Sequence, residues 1–386
     1  MKVRLGDICE ILNGYAFKSS DYTKDGIRII RISNVQKGFI EDSSPVFYPK
    51  DNKYAQNYAL IENDLLISLT GNVGRVALIS RDLLPAALNQ RVACIRIKDK
   101  HTILTKYLFH LLNSDIFEHD CIISAQGIAQ KNMSTSWLQQ YEISIDPLET
   151  QSKRINVLDT LDSLISRRKR QLLKLDQLVK SRFMEMFGDV VHNSRKWPIS
   201  RLSELGYLNR GVSKTRPRNL PELFGGKYPL IQTGDVAHSD TFIKNFSQTY
   251  SDIGLAQSKL WPKGTLCITI AANIAKASIL QFDACFPDSV VGFIPKNKAT
   301  IMYVLYCLKS LQKILESQAP QVAQKNINLK ILNDLTIPLP PLPLQQQFAA
   351  FVEKVDKSKF IVGARLAGQL CRKILTKLSL SEADYD

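Results

Sequence analysis

Two kinds of hydrophobic pattern alternate along the chain. Gly26-Ile27-Arg28-Ile29-Ile30-Arg31-Ile32 is short and β-branched, and Asp64-Leu65-Leu66-Ile67-Ser68-Leu69 is apolar and ends in the turn-like Thr70-Gly71-Asn72-Val73-Gly74. Both predict strands, as does Gly264-Thr265-Leu266-Cys267-Ile268-Thr269-Ile270. Apolar residues at helical spacing predict helices over 104–113 and 301–315. From 149 to about 187 the pattern changes, with no Gly or Pro until Gly188. Leu158, Ile165, Leu172 and Val179 recur every seven residues, with Leu161 and Leu175 between them and Arg168 and Arg182 interrupting. This is a coiled-coil seam on a helix roughly 55–60 Å long. Such a helix cannot bury its own seam and needs a partner. The C-terminal stripe Phe348, Val352, Val355, Val362, Leu366, Leu370, Ile374 and Leu378 predicts that partner, after a proline-rich hinge at Pro338-Leu339-Pro340-Pro341-Leu342-Pro343. An antiparallel pair is expected over two helices packed separately on their own heads.

The pairing follows from an internal repeat. At an offset of 194, Ala129-Gln130-Lys131-Asn132 recurs as Ala323-Gln324-Lys325-Asn326. Leu138 meets Leu332, Ile143 meets Ile337, Pro147-Leu148 meets Pro341-Leu342, Gln151 meets Gln345 and Asp162 meets Asp356. Ten of the 37 positions from 126 to 162 are identical, where roughly two are expected by chance. Upstream, at an offset of 201, Ile30 to Val35 aligns with Ile231 to Val236, Leu65 with Leu266, Ile67 with Ile268, Asn72 with Asn273 and Val73 with Ile274. The second copy has therefore lost about seven residues, expected in a loop. Each copy reads as a compact α+β head followed by a long helix.

Composition sharpens this picture. The 386 residues suggest two to three domains and are neither disordered nor fibrous. Fifty-one Lys and Arg against 36 Asp and Glu give a formal charge of +15, which attracts polyanions, DNA and RNA above all; a charge that only maintains solubility is the blander reading. No apolar run approaches the ~20 residues of a membrane span, and Met1-Lys2-Val3-Arg4-Leu5-Gly6-Asp7 does not read as a signal peptide. The seven cysteines (Cys9, Cys94, Cys121, Cys267, Cys285, Cys307, Cys371) are odd in number and scattered. They argue against a disulfide framework or zinc site and for a reducing cytoplasm.

Catalytic signatures are missing. His101, His110, His119, His192 and His238 share no helical face. There is no H-E-x-x-H and no G-x-S-x-G. In Gly206-Tyr207-Leu208-Asn209-Arg210-Gly211-Val212-Ser213-Lys214-Thr215 the lysine stands too far past the second glycine for a P-loop. Gly71-Asn72-Val73-Gly74 is a strand-ending turn, not a dinucleotide loop. No cofactor or metal is expected on this chain.

Several stretches together resemble the specificity subunits of type I restriction–modification enzymes. They are Leu5-Gly6-Asp7-Ile8, the run from Asn63 to Gly74, and the two hinges Ile143-Ser144-Ile145-Asp146-Pro147-Leu148-Glu149-Thr150-Gln151 and Ile337-Pro338-Leu339-Pro340-Pro341-Leu342-Pro343-Leu344-Gln345. In the second head Ala272-Asn273-Ile274-Ala275 stands where the first has paired glycines. The resemblance implies an α+β protein with a pseudo-twofold repeat, two similar target-recognition domains separated by a pair of long antiparallel helices. On that reading residues 1–148 are the first recognition domain, 149–187 the central spacer helix, 188–341 the second domain and 342–386 the C-terminal spacer helix. It further implies a non-catalytic subunit that reads an asymmetric bipartite double-stranded DNA target. Two methyltransferase subunits would dock on the helices and motor–nuclease subunits would join them, carrying S-adenosylmethionine, ATP and magnesium between them, with no membrane involved.

Phosphates call for Lys and Arg, and base edges for Arg, Lys, Asn or Gln. The candidates in head one are Arg28, Arg31, Lys37, Asn72, Arg75, Gln130, Lys131 and Asn132. In head two they are Lys214, Arg216, Arg218, Gln232, Asn273, Lys276, Gln324, Lys325 and Asn326. The Gln-Lys-Asn triplet equally fits a turn that caps the following segment. Lys214 to Arg218 fits a solvated basic loop, and Arg167-Arg168-Lys169-Arg170 a solvated helix face. Three functions compete: a DNA-recognition subunit, an enzyme acting alone on nucleic acid, and a coiled-coil scaffold or regulatory DNA-binding protein without restriction–modification partners.

Overall fold

The computed structural model describes residues 1–125, 132–271, 274–318 and 327–381. The chain divides into two units, Met1–Arg170 with Gly363 onward, and Gln171–Val362. Two helices of 40 residues each, Leu148–Phe187 and Leu342–Ser381, contribute one half to either unit. Each unit therefore holds one head and a segment of both long helices.

The heads share a topology. In the first, Cys9–Asn13, Val92–Ile97, Leu65–Ser68 and Val76–Leu78 form an antiparallel sheet in that order. In the second, Gly206–Arg210, Val290–Pro295, Leu266–Thr269 and Ala277–Leu280 repeat it, with Phe242–Ile243 added at the edge. A smaller sheet follows in each, built on Ile27–Ile30 and on Phe224–Leu230. A two-stranded ribbon closes each head, Lys2–Arg4 with Glu142–Ser144 and Ile199–Arg201 with Thr336–Pro338.

The central strands are apolar throughout because both of their faces are covered. Side chains alternate across a strand, so Leu65 and Ile67 enter one core with Leu5, Tyr107 and Leu138, while Leu66 enters another with Ile30, Val35 and Cys94. In head two Leu266 and Ile268 face Phe293 and Tyr303, and Cys267 faces Trp261 and Phe286. The helix predicted over 301–315 spans Ile301–Gln318. That predicted over 104–113 spans Thr105–Leu112, after which Ser114 accepts from Phe117 N at 3.2 Å and starts a second helix, Asp115–Ser124.

The seven-residue shortening is not in one loop. The strand registers carry the offset from 201 at Leu78/Ile279 to 198 at Ala87/Cys285. It is 196 at Leu104/Thr300, which occupy the same place against Gln151 and Gln345. The loss falls in three short segments, because core strands tolerate no slip.

Gln151 and Gln345, among the identities of the repeat, are fully buried and bonded alike. Gln151 Oε1 accepts from Leu104 N at 2.9 Å, and its Nε2 donates to the Thr102 carbonyl at 3.1 Å and the Asp146 carbonyl at 2.8 Å. Gln345 Oε1 accepts from Thr300 N at 2.9 Å, and its Nε2 donates to the Lys298 carbonyl at 3.3 Å and the Pro340 carbonyl at 2.8 Å. One amide thus satisfies three buried backbone groups and fastens the start of each long helix to its head.

The long helices pack together antiparallel. In the first unit Lys373 pairs with Asp162, and in the second Lys359 pairs with Asp176. Fourteen residues up one helix match fourteen down the other, so a single register holds both. Leu158, Leu161, Ile165 and Val179 are buried on one helix and Val352, Val355 and Val362 on the other. The expected C-terminal stripe needs correction beyond Val362, because Leu370 and Ile374 are 39% and 48% exposed. Val362, Leu366, Leu370 and Ile374 step by four, and each such step overshoots a full turn by about 40°. The row therefore winds off a seam that alternates three and four. The partly buried positions after Leu366 are Gln369, Lys373 and Thr376; the Leu378 side chain lies outside the described residues.

Lys359 also reaches Asp240 of head two at 2.6 Å, and Asp240 accepts from Lys309 at 3.2 Å. Burial alone would depress the Lys359 pKa, but its carboxylate partners outweigh it and hold the ammonium up to about 12.

Gln345→Leu strands three buried backbone groups and should destabilise the second unit by about 2–4 kcal/mol in chemical denaturation. Lys359→Met should lower stability by roughly 1–3 kcal/mol at pH 8. Because the folded pKa is raised, this contribution is fully present below the ordinary lysine value near ~10.4. It fades as pH climbs toward about 12, so denaturation midpoints of variant and parent should converge only in strong alkali.

Candidate nucleic-acid interface

The site is built on the turn that ends the central strand of each sheet. In head one Ser68 Oγ donates to the Asn72 carbonyl at 2.5 Å and accepts from Arg75 N at 3.0 Å, while Gly74 N donates to the Ser68 carbonyl at 3.0 Å. In head two Thr269 Oγ1 accepts from Lys276 N at 3.1 Å, and Ala275 N donates to the Thr269 carbonyl at 2.9 Å. A hydroxyl closes both turns. Gly74 has φ +83° and Ala275 φ +57°, so the second head keeps the left-handed backbone despite losing its glycine.

The segment after each Gln-Lys-Asn triplet docks on this turn. Met133 N donates to the Leu69 carbonyl at 2.9 Å, and Ile327 N donates to the Ile270 carbonyl at 2.9 Å. Asn132 forms an isolated bridge to Thr70. Two motifs far apart in sequence thus meet at one edge, where Asn72 and Asn132 are both exposed. The helices that follow are capped by Ser134, which accepts from Trp137 N at 3.2 Å, and Asn328, which accepts from Ile331 N at 2.9 Å. Gln130, Lys131, Asn273, Gln324, Lys325 and Asn326 lie outside the described residues.

The other candidates are differently committed. Arg28 donates to the Leu83 carbonyl at 2.6 Å, pairs with Asp42 at 3.0 Å and lies over the Phe47 ring. Lys37 is clamped by Asp115 and Glu118, each at 2.6 Å. Its burial favours the neutral amine, but the two carboxylates prevail and raise its pKa. Arg31 Nη2 donates to the Ser44 carbonyl at 2.9 Å. Arg75 Nη1 donates to Gln36 Oε1 at 2.5 Å.

In head two Arg218 pairs with Asp288 at 2.8 Å, and Arg216 donates to the carbonyls of Ser213 and Thr215 at 2.7 and 2.9 Å. Lys214 is exposed and Lys276 partly so. Gln232 N donates to Asp235 Oδ2 at 2.8 Å, opening the short helix Thr233–His238. Head one has instead a hairpin, Val35–Gln36 with Phe39–Ile40. Gln36, on that hairpin, escaped sequence reasoning because nothing repeats it.

Among the described residues no cluster of His, Cys, Asp or Glu could hold a metal ion. Six of the seven cysteines are buried, and burial lifts the Cys9 and Cys307 thiols to about 12, leaving little thiolate at neutral pH. Among the described residues no helix is long and apolar enough to cross a membrane.

Two heads of shared topology, each fastened by a buried glutamine to the start of a long helix, define an internally duplicated two-domain protein. The family described as "Type I restriction modification DNA specificity domain" matches residues 1–175 and again 194–366, and the chain belongs to that family. Among its relatives are the type I restriction enzyme EcoBI specificity subunit of Escherichia coli, 24% identical with 98% of this chain and 85% of that protein covered. Another is the putative MjaX specificity subunit of Methanocaldococcus jannaschii, at 23% with 91% and 85% covered. In fold the chain resembles the type I restriction–modification S subunit from M. genitalium, with a TM-score of 0.64 and 15% identity over 100% of this chain and 96% of that one.

Gly74→Ala should destabilise head one by roughly 2 kcal/mol, since left-handed φ disfavours a side chain and the new Cβ would lie 2.7 Å from Cys121 Cβ. Hydrogen–deuterium exchange of peptides from head one, compared between variant and parent, checks it.

Proposed function

We propose that the chain is the DNA-sequence-recognition subunit of a type I restriction–modification complex, each head reading one half of a bipartite target. The observation that carries this reading is the duplicated docking of the segment after the triplet onto the strand-ending turn, through Met133 on Leu69 and Ile327 on Ile270, each at 2.9 Å. Asn72, Arg75 and Asn132 in head one, and Lys276 with Lys214 in head two, are the described side chains offered to DNA. Because these sets differ, the two half-sites differ and the target is asymmetric.

Paired helices of 40 residues, about 60 Å each, act as the ruler between half-sites and the platform for two methyltransferase subunits. Those subunits bring S-adenosylmethionine and flip the adenine; motor–nuclease subunits bring ATP and magnesium. The chain itself performs no catalysis. Its +15 charge supplies sequence-independent attraction to phosphates.

Co-expression with methyltransferase subunits followed by methylome sequencing tests the reading. The expected result is adenine methylation at one asymmetric bipartite motif, with binding by the complex falling about tenfold or more as salt rises from 50 to 200 mM. A complex that methylates without a motif, or DNA recognition that survives charge reversal of the head loops, would favour the scaffold instead.

A further inference from the structure

We infer that Arg75 reads a guanine in the half-site of head one and that Gln36 is the residue that positions it. This deepens the proposed function and rests on it. The Gln36 amide is fixed at both ends: Nε2 donates to the Ser33 carbonyl at 2.9 Å, which turns Oε1 toward Arg75 Nη1 at 2.5 Å. The arginine backbone is equally held, its N–H bonded to Ser68 Oγ at 3.0 Å. The hairpin that carries Gln36 is anchored to the strand following the turn by Gly38 N on the Val76 carbonyl at 2.8 Å.

A guanidinium tied down through Nη1 keeps its other edge, Nε–H and Nη2–H, and no described residue accepts from that edge. The chain shows what such an edge grips: Arg96 holds Asp64 with Nε at 2.8 Å and Nη2 at 2.6 Å. The acceptor pair of matching geometry on a base edge is O6 and N7 of guanine in the major groove.

Neutral buttressing matters as well. Lys37 and Arg28 are held by carboxylates, which cancels their attraction for DNA. Arg31 is held by a backbone carbonyl away from the turn. Arg75 keeps its charge, has lost much of its rotamer freedom to Gln36, and adjoins the turn where Asn72 and Asn132 are exposed. In head two the same position is Lys276, partly exposed and with a short helix where the hairpin would be. A lysine is a point charge without a fork, so this reader belongs to head one alone.

The test uses the full complex and methylome sequencing. Arg75→Lys keeps the charge and removes the fork. Discrimination should fall roughly ten- to hundredfold at one guanine of one half-site, the other positions staying as they were. Gln36→Met, of similar length but lacking the acceptor, should relax the same position. An unchanged motif in both Arg75→Lys and Gln36→Met, or methylation lowered evenly at every site as a phosphate contact would give, overturns the inference. A parent complex that methylates no bipartite motif sinks the proposed function and this inference with it, whereas a normal parent motif left intact by the variants sinks this inference alone.

Discussion

A helix of 40 residues with an apolar stripe cannot stand by itself in water, and everything else here follows from how that stripe is covered. Each long helix finds its partner in the other, the two running antiparallel with Asp162 against Lys373 and Asp176 against Lys359. Hydrophobic contact is permissive about register, since any shift by a heptad still meets apolar side chains. Charged pairs are not permissive, because a slipped register leaves each charge half-buried without its counter-ion. Valines and leucines supply the adhesion of the pair, and two lysines select one alignment.

Duplication then makes the heads easy to attach and free to differ. The same buried glutamine fastens the start of either helix to its head through three backbone groups. The same closing ribbon returns each chain segment to the helix. Away from these joints the copies part company. Asp64 grips Arg96 in head one, whereas head two has Thr265 and Ile294 in the matching strand positions. The hairpin of one head is a helix in the other. Identity is kept where the head meets the strut and in the Gln-Lys-Asn triplet, and is lost at Gln36 and Arg75.

Much of this was legible in the residues. Strand runs, the long helices, the repeat and the antiparallel pairing all leave periodic or repeated signals. A stripe read by eye, though, admits steps of four that drift off the seam, so Leu370 and Ile374 look like core and are not. The deletion was expected in one loop, but gaps distribute themselves wherever the core strands allow. The turn and the triplet were legible as motifs without any sign that the segment after the triplet docks on the turn, because that contact spans some sixty residues and depends on tertiary packing. Gln36 and Arg75 are 39 residues apart, and the second copy has Ala237 where Gln36 would be, so no pattern could pair them.

The polar run in the C-terminal helix gives the strut a graded firmness. Up to Val362 its inward positions are the buried Phe348, Val352, Val355 and Val362, with the polar Lys359 among them; beyond, they are Leu366, Gln369, Lys373 and Thr376, none fully covered. Gly363 and Gly368 stand in the same stretch, each weakening a helix by about 1 kcal/mol relative to alanine. Backbone amides from Gly363 to Ser381 will therefore trade their protons for deuterons well before those preceding them, one half of the strut opening while the other stays shut.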